Sequence, residues 1–145
     1  MDPEVEFQKA KDETDSHIQN LCMYLESTAD GSFTYEELPQ YAPSDYKIFR
    51  DGKVAYFVEV KVRSHDYGFY DQEKVPISKY CFGYTFEHKY KVKCLLLVAW
   101  SNAKAGIIRL KNPDRITAMV ARHDRGADKD LYAFYDYDKF KLLNI

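Results

Sequence analysis

The segment VAYFVEVKVRS, residues 54–64, follows an Asp-Gly turn signal and has the β-branched and aromatic composition of a β-strand. Side chains alternate between the two faces of a strand, so Val58 and Val60 point one way. Glu59, Lys61 and Arg63 point the other way. Three charged groups in step are costly on a buried face, but they suit a cleft that holds a cation and an anionic substrate. The strand therefore predicts a polar cleft on one face of a sheet.

A second acidic residue, Asp45, begins an upstream strand that forms a hairpin with this one. The length of the loop decides whether Asp45 shares the face of Glu59, because a shift of one residue reverses the faces. A two-residue turn would set Asp45 opposite Val58, on the wrong face. A three-residue loop, residues 50–52, ending in a glycine in the left-handed conformation sets it opposite Phe57, on the face of Glu59. We expect the three-residue loop, which lets the two carboxylates converge.

The triplet P-S-D at residues 43–45, followed after thirteen residues by E-V-K at residues 59–61, resembles the PD-(D/E)xK nuclease superfamily. That superfamily includes restriction endonucleases, junction resolvases and phage exonucleases. The pattern differs from the family signature by one inserted residue, Ser44. In order of elements, the resemblance covers about residues 14–100.

A bare acid-x-Lys triplet is not specific, since it also occurs at residues 51–53 and 87–89. The hydrophobic strand context and the upstream Asp45 select residues 59–61. The other interpretation is a solvent-facing strand edge, on which the glutamate and lysine form a weak surface pair.

The chain of 145 residues can bury one proper core. The resemblance implies an α/β (α+β) fold in which helices flank a central mixed sheet of four to five strands. Its expected element order is α-β-β-β-α-β, with one short element uncertain. We expect a single nuclease-like domain over residues 1–145, with a helical segment at 1–30 and a sheet core at 31–145 that includes a helix at 76–90.

Three further segments carry weaker signals. Residues 92–100 are almost continuously apolar and predict a central strand buried on both faces. Residues 64–73 are polar and aromatic and predict a surface loop beside the cleft. An Asn-Pro-Asp turn precedes residues 115–122, for which we expect a short helix.

The resemblance assigns the chemistry to Asp45, Glu59 and Lys61 as catalytic residues. It implies that Asp45 and Glu59 bind one or two Mg²⁺ or Mn²⁺ ions, with the backbone carbonyl of Val60 as a further ligand. Hard divalent ions prefer such oxygen ligands. Lys61 would orient the attacking water and stabilise the charged phosphate.

In many members of the superfamily the first helix donates one more metal ligand. Glu13 and His17 lie one helical turn apart and are the candidates here. The alternative is that Glu13 lies on a solvated face and His17 at the boundary of the core.

Five basic residues are candidates for substrate binding. Arg63 extends the charged face of the strand, and Lys74 and Lys79 flank the start of the second helix, which in the family lends basic groups to the site. Arg122 and Arg125 lie in a polar loop suited to phosphate contacts or to a solvated linker.

Charge and cysteine content bound the partners and the compartment. Residues 1–37 contain ten acidic and two basic residues, a net charge of −8, whereas residues 38–145 have a net charge of +6. Such asymmetry is a hint of a surface that faces a polyanion. Three scattered cysteines, the lack of a signal peptide and the short apolar run at residues 95–100 predict a cytoplasmic protein without a membrane partner.

We therefore expect a metal-dependent nuclease that hydrolyses phosphodiester bonds in DNA or RNA, internally or from an end, as a monomer or a homodimer. Motifs of phosphate loops, dinucleotide folds, serine hydrolases and zinc proteases are absent from the sequence. The alternative is a catalytically inactive module that binds nucleic acid or protein on the same scaffold.

Overall fold

A computed structural model describes residues 2–120 and 129–143 of the chain. In chain order its elements are α1 (Pro3–Thr28), β1 (Phe33–Glu37), β2 (Tyr46–Arg50), β3 (Lys53–Val62), β4 (Gln72–Pro76), α2 (Ile77–Tyr90), β5 (Lys93–Ala99), β6 (Ala105–Arg109), β7 (Arg115–Val120), β8 (Lys129–Asp136), a 3-10 turn (Tyr137–Lys139) and β9 (Lys141–Leu142).

Two sheets organise these strands. The central sheet has six strands in the order β1-β2-β3-β5-β6-β9, with β3 and β5 parallel and the other neighbours antiparallel. A second, antiparallel sheet has the order β4-β8-β7. The predicted mixed α+β class is confirmed, with six strands in the central sheet where four to five were expected. The second sheet is a feature that the sequence patterns did not indicate.

β3 lies between two hydrophobic clusters, whereas the sequence predicted an open polar cleft on its charged face. Val58 and Val60 pack with the buried side of α1. Phe57 faces the opposite cluster, to which α2, β5 and the second sheet contribute. Residues 94–100, in and just after β5, are all buried, which confirms the predicted central strand. β3 is therefore an internal strand, and its charged side chains lie on the face that α2 and the second sheet partly cover.

The long helix α1 is capped at its start and packs against the sheet near its end. Asp2 caps it by accepting a 2.9 Å hydrogen bond from the backbone N–H of Glu4, with proline at the first helical position. The part that packs on the sheet is an apolar stripe at helical spacing, and it comprises Ile18, Leu21, Cys22 and Leu25. Full burial of such a side chain stabilises a fold by about 1.5–3 kcal/mol. The last three turns of α1 thus hold it against the face of β3 that carries the valines.

The hairpin between β2 and β3 corrects the predicted loop. Arg50 pairs with Lys53, so the connection is a two-residue turn, in which Asp51 and Gly52 both have positive φ. The extra residue lies in the strand instead: pairing shifts between Ile48 and Phe49, which leaves a β-bulge in β3. The bulge changes the register by one residue and so places Asp45 on the face of Glu59. The sequence predicts this change of face in the loop, whereas it comes from the strand.

Two other expectations about local structure were wrong. Residues 115–120 form strand β7 and not a helix, because β8 pairs with them over their whole length. The end of the expected surface loop, from Gln72, is strand β4, which pairs with the other edge of β8. Both segments depend on a distant partner strand, which their own sequences do not reveal.

The helices and thiols add two observations. Within the described residues, no helix is long and apolar enough to cross a membrane. The three thiols are free, with Cys22 and Cys94 buried and Cys81 exposed. Burial raises the pKa of both Cys22 and Cys94 to about 11, which keeps these two thiols protonated at neutral pH.

Candidate active site

Asp45 is fixed at the entrance to β2 by contacts with β3. Its backbone N–H donates to the Val58 carbonyl at 3.1 Å, and its side-chain Oδ2 accepts a 2.8 Å hydrogen bond from the backbone N–H of Val60. The preceding Ser44, the residue inserted relative to the family signature, is buried. The Asp45 carboxylate is therefore held against the middle of β3.

Glu59 belongs to β3, which lies between β2 and β5, and only 4% of the residue is exposed. Its Oε1 lies 3.4 Å from Lys61 Nζ, and its Oε2 lies 3.2 Å from Lys79 Nζ. Oε2 nevertheless has no hydrogen bond of acceptable geometry. The alternative of an exposed pair on a strand edge is excluded, because Glu59 is buried and its strand is internal.

The electrostatics of Glu59 reflect competing neighbours. Burial is the largest influence and raises the pKa of this carboxyl above its usual value, and the nearby Asp45 charge raises it further. Lys61 and Lys79 act in the opposite direction without reversing the shift. A metal cation placed between the two carboxylates, in addition to the two lysines, would relieve both unfavourable effects.

Backbone geometry brings the Val60 carbonyl to the same place. The N–H and C=O of one strand residue point toward the same neighbouring strand. Since the Val60 N–H is directed at Asp45, its carbonyl oxygen faces the side of β3 on which Asp45 lies. Asp45 thus lies beside Glu59, on the side of β3 to which the Val60 carbonyl points, and metal binding by these three groups stays a prediction.

Lys79 approaches the site from the first turn of α2. Its Nζ donates a 3.1 Å hydrogen bond to the Pro43 carbonyl in addition to its ion pair with Glu59. Lys61, on β3 itself, is the other basic group in contact with Glu59. Both side chains remain partly exposed, so they can also reach a ligand from solvent.

The structure does not bring Glu13 or His17 to Asp45 and Glu59. Those two side chains lie 3.9 Å from each other on α1, which packs against the valine face of β3. In residues 2–120 and 129–143, no three His, Cys, Asp or Glu side chains cluster as a metal site. Among the residues that the structure describes, the carboxylate pair therefore has no third acidic or histidine side chain beside it.

The remaining basic candidates have other positions. Arg63 contacts a buried carboxylate, Glu73, at 3.1 Å, and Lys74 lies over the ring of Tyr132. Arg122 and Arg125 fall outside the described residues. Roles in substrate binding stay predictions for all of these residues.

A second polar region lies beyond the end of β3, where the sequence predicted a surface loop and two basic candidates but not a buried glutamate. It is a cleft of about 960 Å³, here called the Glu73 cleft, whose walls include Arg63, His65, Tyr70, Glu73, Lys74 and Arg115. The sequence predicts a loop at Glu73, because the five residues of β4 carry no alternation of polar and apolar side chains that would indicate a strand.

Comparisons with known proteins give the family. A family model described as "Phage putative PDDEXK endonuclease" matches residues 6–141, which is nearly the whole chain. The chain belongs to this family. Its membership confirms the resemblance drawn from residues 43–45 and 59–61.

A solved structure gives the fold. The Holliday junction resolvase Hjc of the archaeal hyperthermophile Archaeoglobus fulgidus is similar to this chain with a TM-score of 0.53 and 12% sequence identity. The match covers 87% of this chain and 90% of the resolvase. At this identity the similarity establishes a shared fold. No curated protein matches the sequence.

Proposed function

We propose that this protein is a divalent-metal-dependent DNA endonuclease whose active site is formed by Asp45, Glu59 and Lys61. The observation that carries the proposal is the meeting of two carboxylates and a lysine at the middle of β3, one of them a buried glutamate with an oxygen that lacks a hydrogen bond. Family membership and the fold of a junction resolvase support this class of reaction and DNA as the substrate.

The donor set suits a hard divalent cation. Asp45, Glu59 and the Val60 carbonyl offer oxygen atoms only, and Glu59 Oε2 is a buried acceptor without a hydrogen bond. Mg²⁺ is commonly held by one or two carboxylates together with water and substrate phosphate, so a third acidic side chain is not required. When bound, such an ion would supply Lewis-acid stabilisation of the phosphate charge and lower the pKa of a bound water.

The chain's own residues would do the remaining work. The hydrogen bond from the Val60 N–H orients Asp45 before any ligand arrives. Lys61 would place its ammonium beside the scissile phosphate and the attacking water, where it stabilises negative charge as it develops. Lys79 is tied to the Pro43 carbonyl and would hold Glu59 Oε2 in position from α2.

The experiment combines metal binding with cleavage. Thermal melting with and without Mn²⁺ should show stabilisation of the wild type, by about 2.7 kcal/mol when the free ion is at 100 times its Kd. Asp45→Asn should abolish that shift, whereas Glu36→Gln, at an exposed position on β1, should retain it. Parallel assays with Mg²⁺ or Mn²⁺ use duplex, branched and single-stranded DNA, with RNA as the comparison.

Lysine variants complete the test. Lys61→Met should lose cleavage, and Lys53→Met, an exposed lysine at the start of the same strand, should keep it. Cleavage that survives both Asp45→Asn and Lys61→Met would refute the assignment. Binding of DNA with neither cleavage nor a Mn²⁺ shift would identify an inactive binding module.

A further inference from the structure

The Glu73 cleft continues the charged face of β3. Arg63 follows Lys61 by two residues and so points to the same side, about 6.6 Å further along the strand. The ladder continues through it, since the Arg63 N–H donates to the Ala99 carbonyl at 2.8 Å. A nucleic-acid strand that lies with its phosphate at Lys61 would therefore carry its next nucleotides to this cleft.

The floor of the cleft is a closed network around Glu73, which is 3% exposed. One carboxylate oxygen accepts from Arg63 Nε and the other from Trp100 Nε1, each at 3.1 Å. His65 Nε2 lies 3.6 Å from Glu73 and 3.3 Å from the Tyr137 hydroxyl. Arg63 also donates to the Lys74 carbonyl at 2.9 Å, which links the central sheet to the second one. The cleft is thus preformed.

Another wall of the cleft is polar, and its side chains are also hydrogen-bonded to one another. Arg115 donates from Nε to Gln72 Oε1 at 2.8 Å and lies over the ring of Phe134 at 4.1 Å. Gln72 donates in turn to Asp136 Oδ1 at 2.6 Å. These groups leave a hydrogen-bonding surface of amide, carboxylate and guanidinium.

The rim carries exposed aromatic rings. Tyr70 is 54% exposed and Phe69 is 70% exposed, and their ring centroids lie 4.9 Å apart in a T-shaped contact. Tyr70 also makes a T-shaped contact with His65 at 4.8 Å. Tyr70 is therefore held in position at the mouth while about half of it stays open to a ligand.

Charge distinguishes a site for bases from a channel for phosphates. The lining holds three basic side chains, Arg63, Lys74 and Arg115, and three acidic ones, Asp71, Glu73 and Asp136. With no net formal charge from these six, the cleft lacks the positive groove that tracks a backbone. Aromatic rings and hydrogen-bonding groups in a cleft of about 960 Å³ match an unpaired nucleotide instead.

We propose that the Glu73 cleft binds an unpaired nucleotide of the substrate, close to the phosphate that is cut, with its base stacked on Tyr70. The inference rests on the proposed nuclease function and narrows its substrate class to DNA with an unpaired segment beside the cleavage point, such as a branch or a single-stranded end. A base inside an intact duplex is stacked on its neighbours and cannot enter the cleft without being extruded.

The test measures binding apart from cleavage. Fluorescence anisotropy with EDTA present compares a fully paired duplex with the same duplex carrying a single-stranded branch. Tyr70→Ala should weaken binding of the branched DNA about 5- to 150-fold, the effect of losing one stacked base. Binding of the paired duplex should be unchanged. Tyr70→Phe retains the ring and should bind the branched DNA as the wild type does.

A matched control and a direct probe sharpen the result. Tyr84→Ala removes a ring of similar exposure, 49%, from α2 outside the cleft, and should change neither affinity. A 2-aminopurine in the unpaired segment should lose fluorescence on binding to wild type and less on binding to Tyr70→Ala. Thermal melts of the variants report whether each one is folded, and Arg115→Gln serves as a second cleft variant with the same expected selectivity.

The outcomes separate the subsite from the nuclease function. Equal wild-type affinity for both DNAs, or equal effects of Tyr70→Ala and Tyr84→Ala, would overturn the subsite. So would the absence of any DNA binding. Selective binding of the branched DNA that depends on Tyr70, without cleavage in Mg²⁺ or Mn²⁺, would support the subsite and refute the proposed nuclease.

Discussion

Glu59 and Glu73 are two buried glutamates on the same side of the molecule, 4% and 3% exposed, and each faces basic side chains. Glu73 has both oxygens in hydrogen bonds, to Arg63 and Trp100. Glu59 has one oxygen without a hydrogen bond, and its neighbours include a second carboxylate, Asp45. The two sites bury the same chemical group but differ in its hydrogen-bond partners and in the charges beside it.

The difference indicates what each carboxylate is for. A buried charge with complete partners joins parts of a structure, and in Glu73 it joins the central sheet to the second one. A buried carboxylate whose pKa stays raised beside two lysines costs free energy, which folded proteins retain mainly where a ligand or a reaction uses it. Buried carboxyl groups with a perturbed pKa are for that reason candidates for functional sites. We therefore propose that Glu59 takes part in the chemistry and that Glu73 holds the cleft together.

The largest expected difference between the two is in catalysis. Glu59→Gln should lower the rate of DNA cleavage at least about 10²-fold, the scale of losing one group that stabilises charge in an active site. Glu73→Gln should cost much less, because it leaves Asp45, Glu59 and Lys61 in place. Single-turnover assays at saturating Mg²⁺ would measure both. Equal losses would remove the distinction between the two carboxylates.

Stability should show the reverse order. Glu73→Gln replaces a charged partner of Arg63 and should cost about 1.5–3 kcal/mol in free energy of unfolding, the value of a hydrogen bond to a charged group. The side chain of Arg63 is 25% exposed, so water can replace part of the lost interaction and the lower end is expected. Glu59→Gln should leave the metal-free protein as stable as wild type or more so. Urea unfolding in EDTA would decide, and a larger loss for Glu59→Gln would contradict the comparison.

The sequence was sufficient to predict the strand position of Glu59 but not that of Glu73. Glu59 lies between two valines in a strand whose side chains alternate clearly between polar and apolar. This pattern can be recognised without knowing which strands pair with it. Glu73 lies in a five-residue strand, β4, that exists because β8 pairs with it, some sixty residues later. Trp100 and Arg63, its hydrogen-bond partners, come from still other parts of the chain. Such a network is a product of tertiary structure.

The hairpin gives the same lesson at closer range. The expectation that Asp45 reaches Glu59 depended on a change of parity, which we placed in the loop. The turn is the two-residue form that an Asp-Gly pair favours, and the parity changes at a bulge near Ile48. The bulge lies within the paired strands, and no local residue preference marks it. The function of the site residues stays a prediction until variants are assayed.

The smallest expected effect is a dependence of stability on pH that arises at Glu59. Its pKa in the folded protein is raised, so the native state binds this proton more tightly than the unfolded chain does. The contribution to stability is thus fully present below the unfolded value, near 4.3, and is lost as the pH rises toward the folded value. One group can contribute at most about 1.4 kcal/mol per pH unit.

Urea unfolding of wild type and Glu59→Gln, in EDTA from acidic to neutral pH, isolates this term as the difference between the two proteins. Wild type should lose stability relative to the variant as the pH rises from about 4.3, and the difference should then level off. Saturating Mn²⁺ should reverse the trend, because a bound cation favours the ionised carboxylate. A difference that does not change with pH, or that grows in favour of wild type in EDTA, would mean that the lysines outweigh burial and Asp45. Glu59 would then resemble Glu73, a satisfied ion pair, and the physical reason for placing the chemistry at Glu59 would be lost.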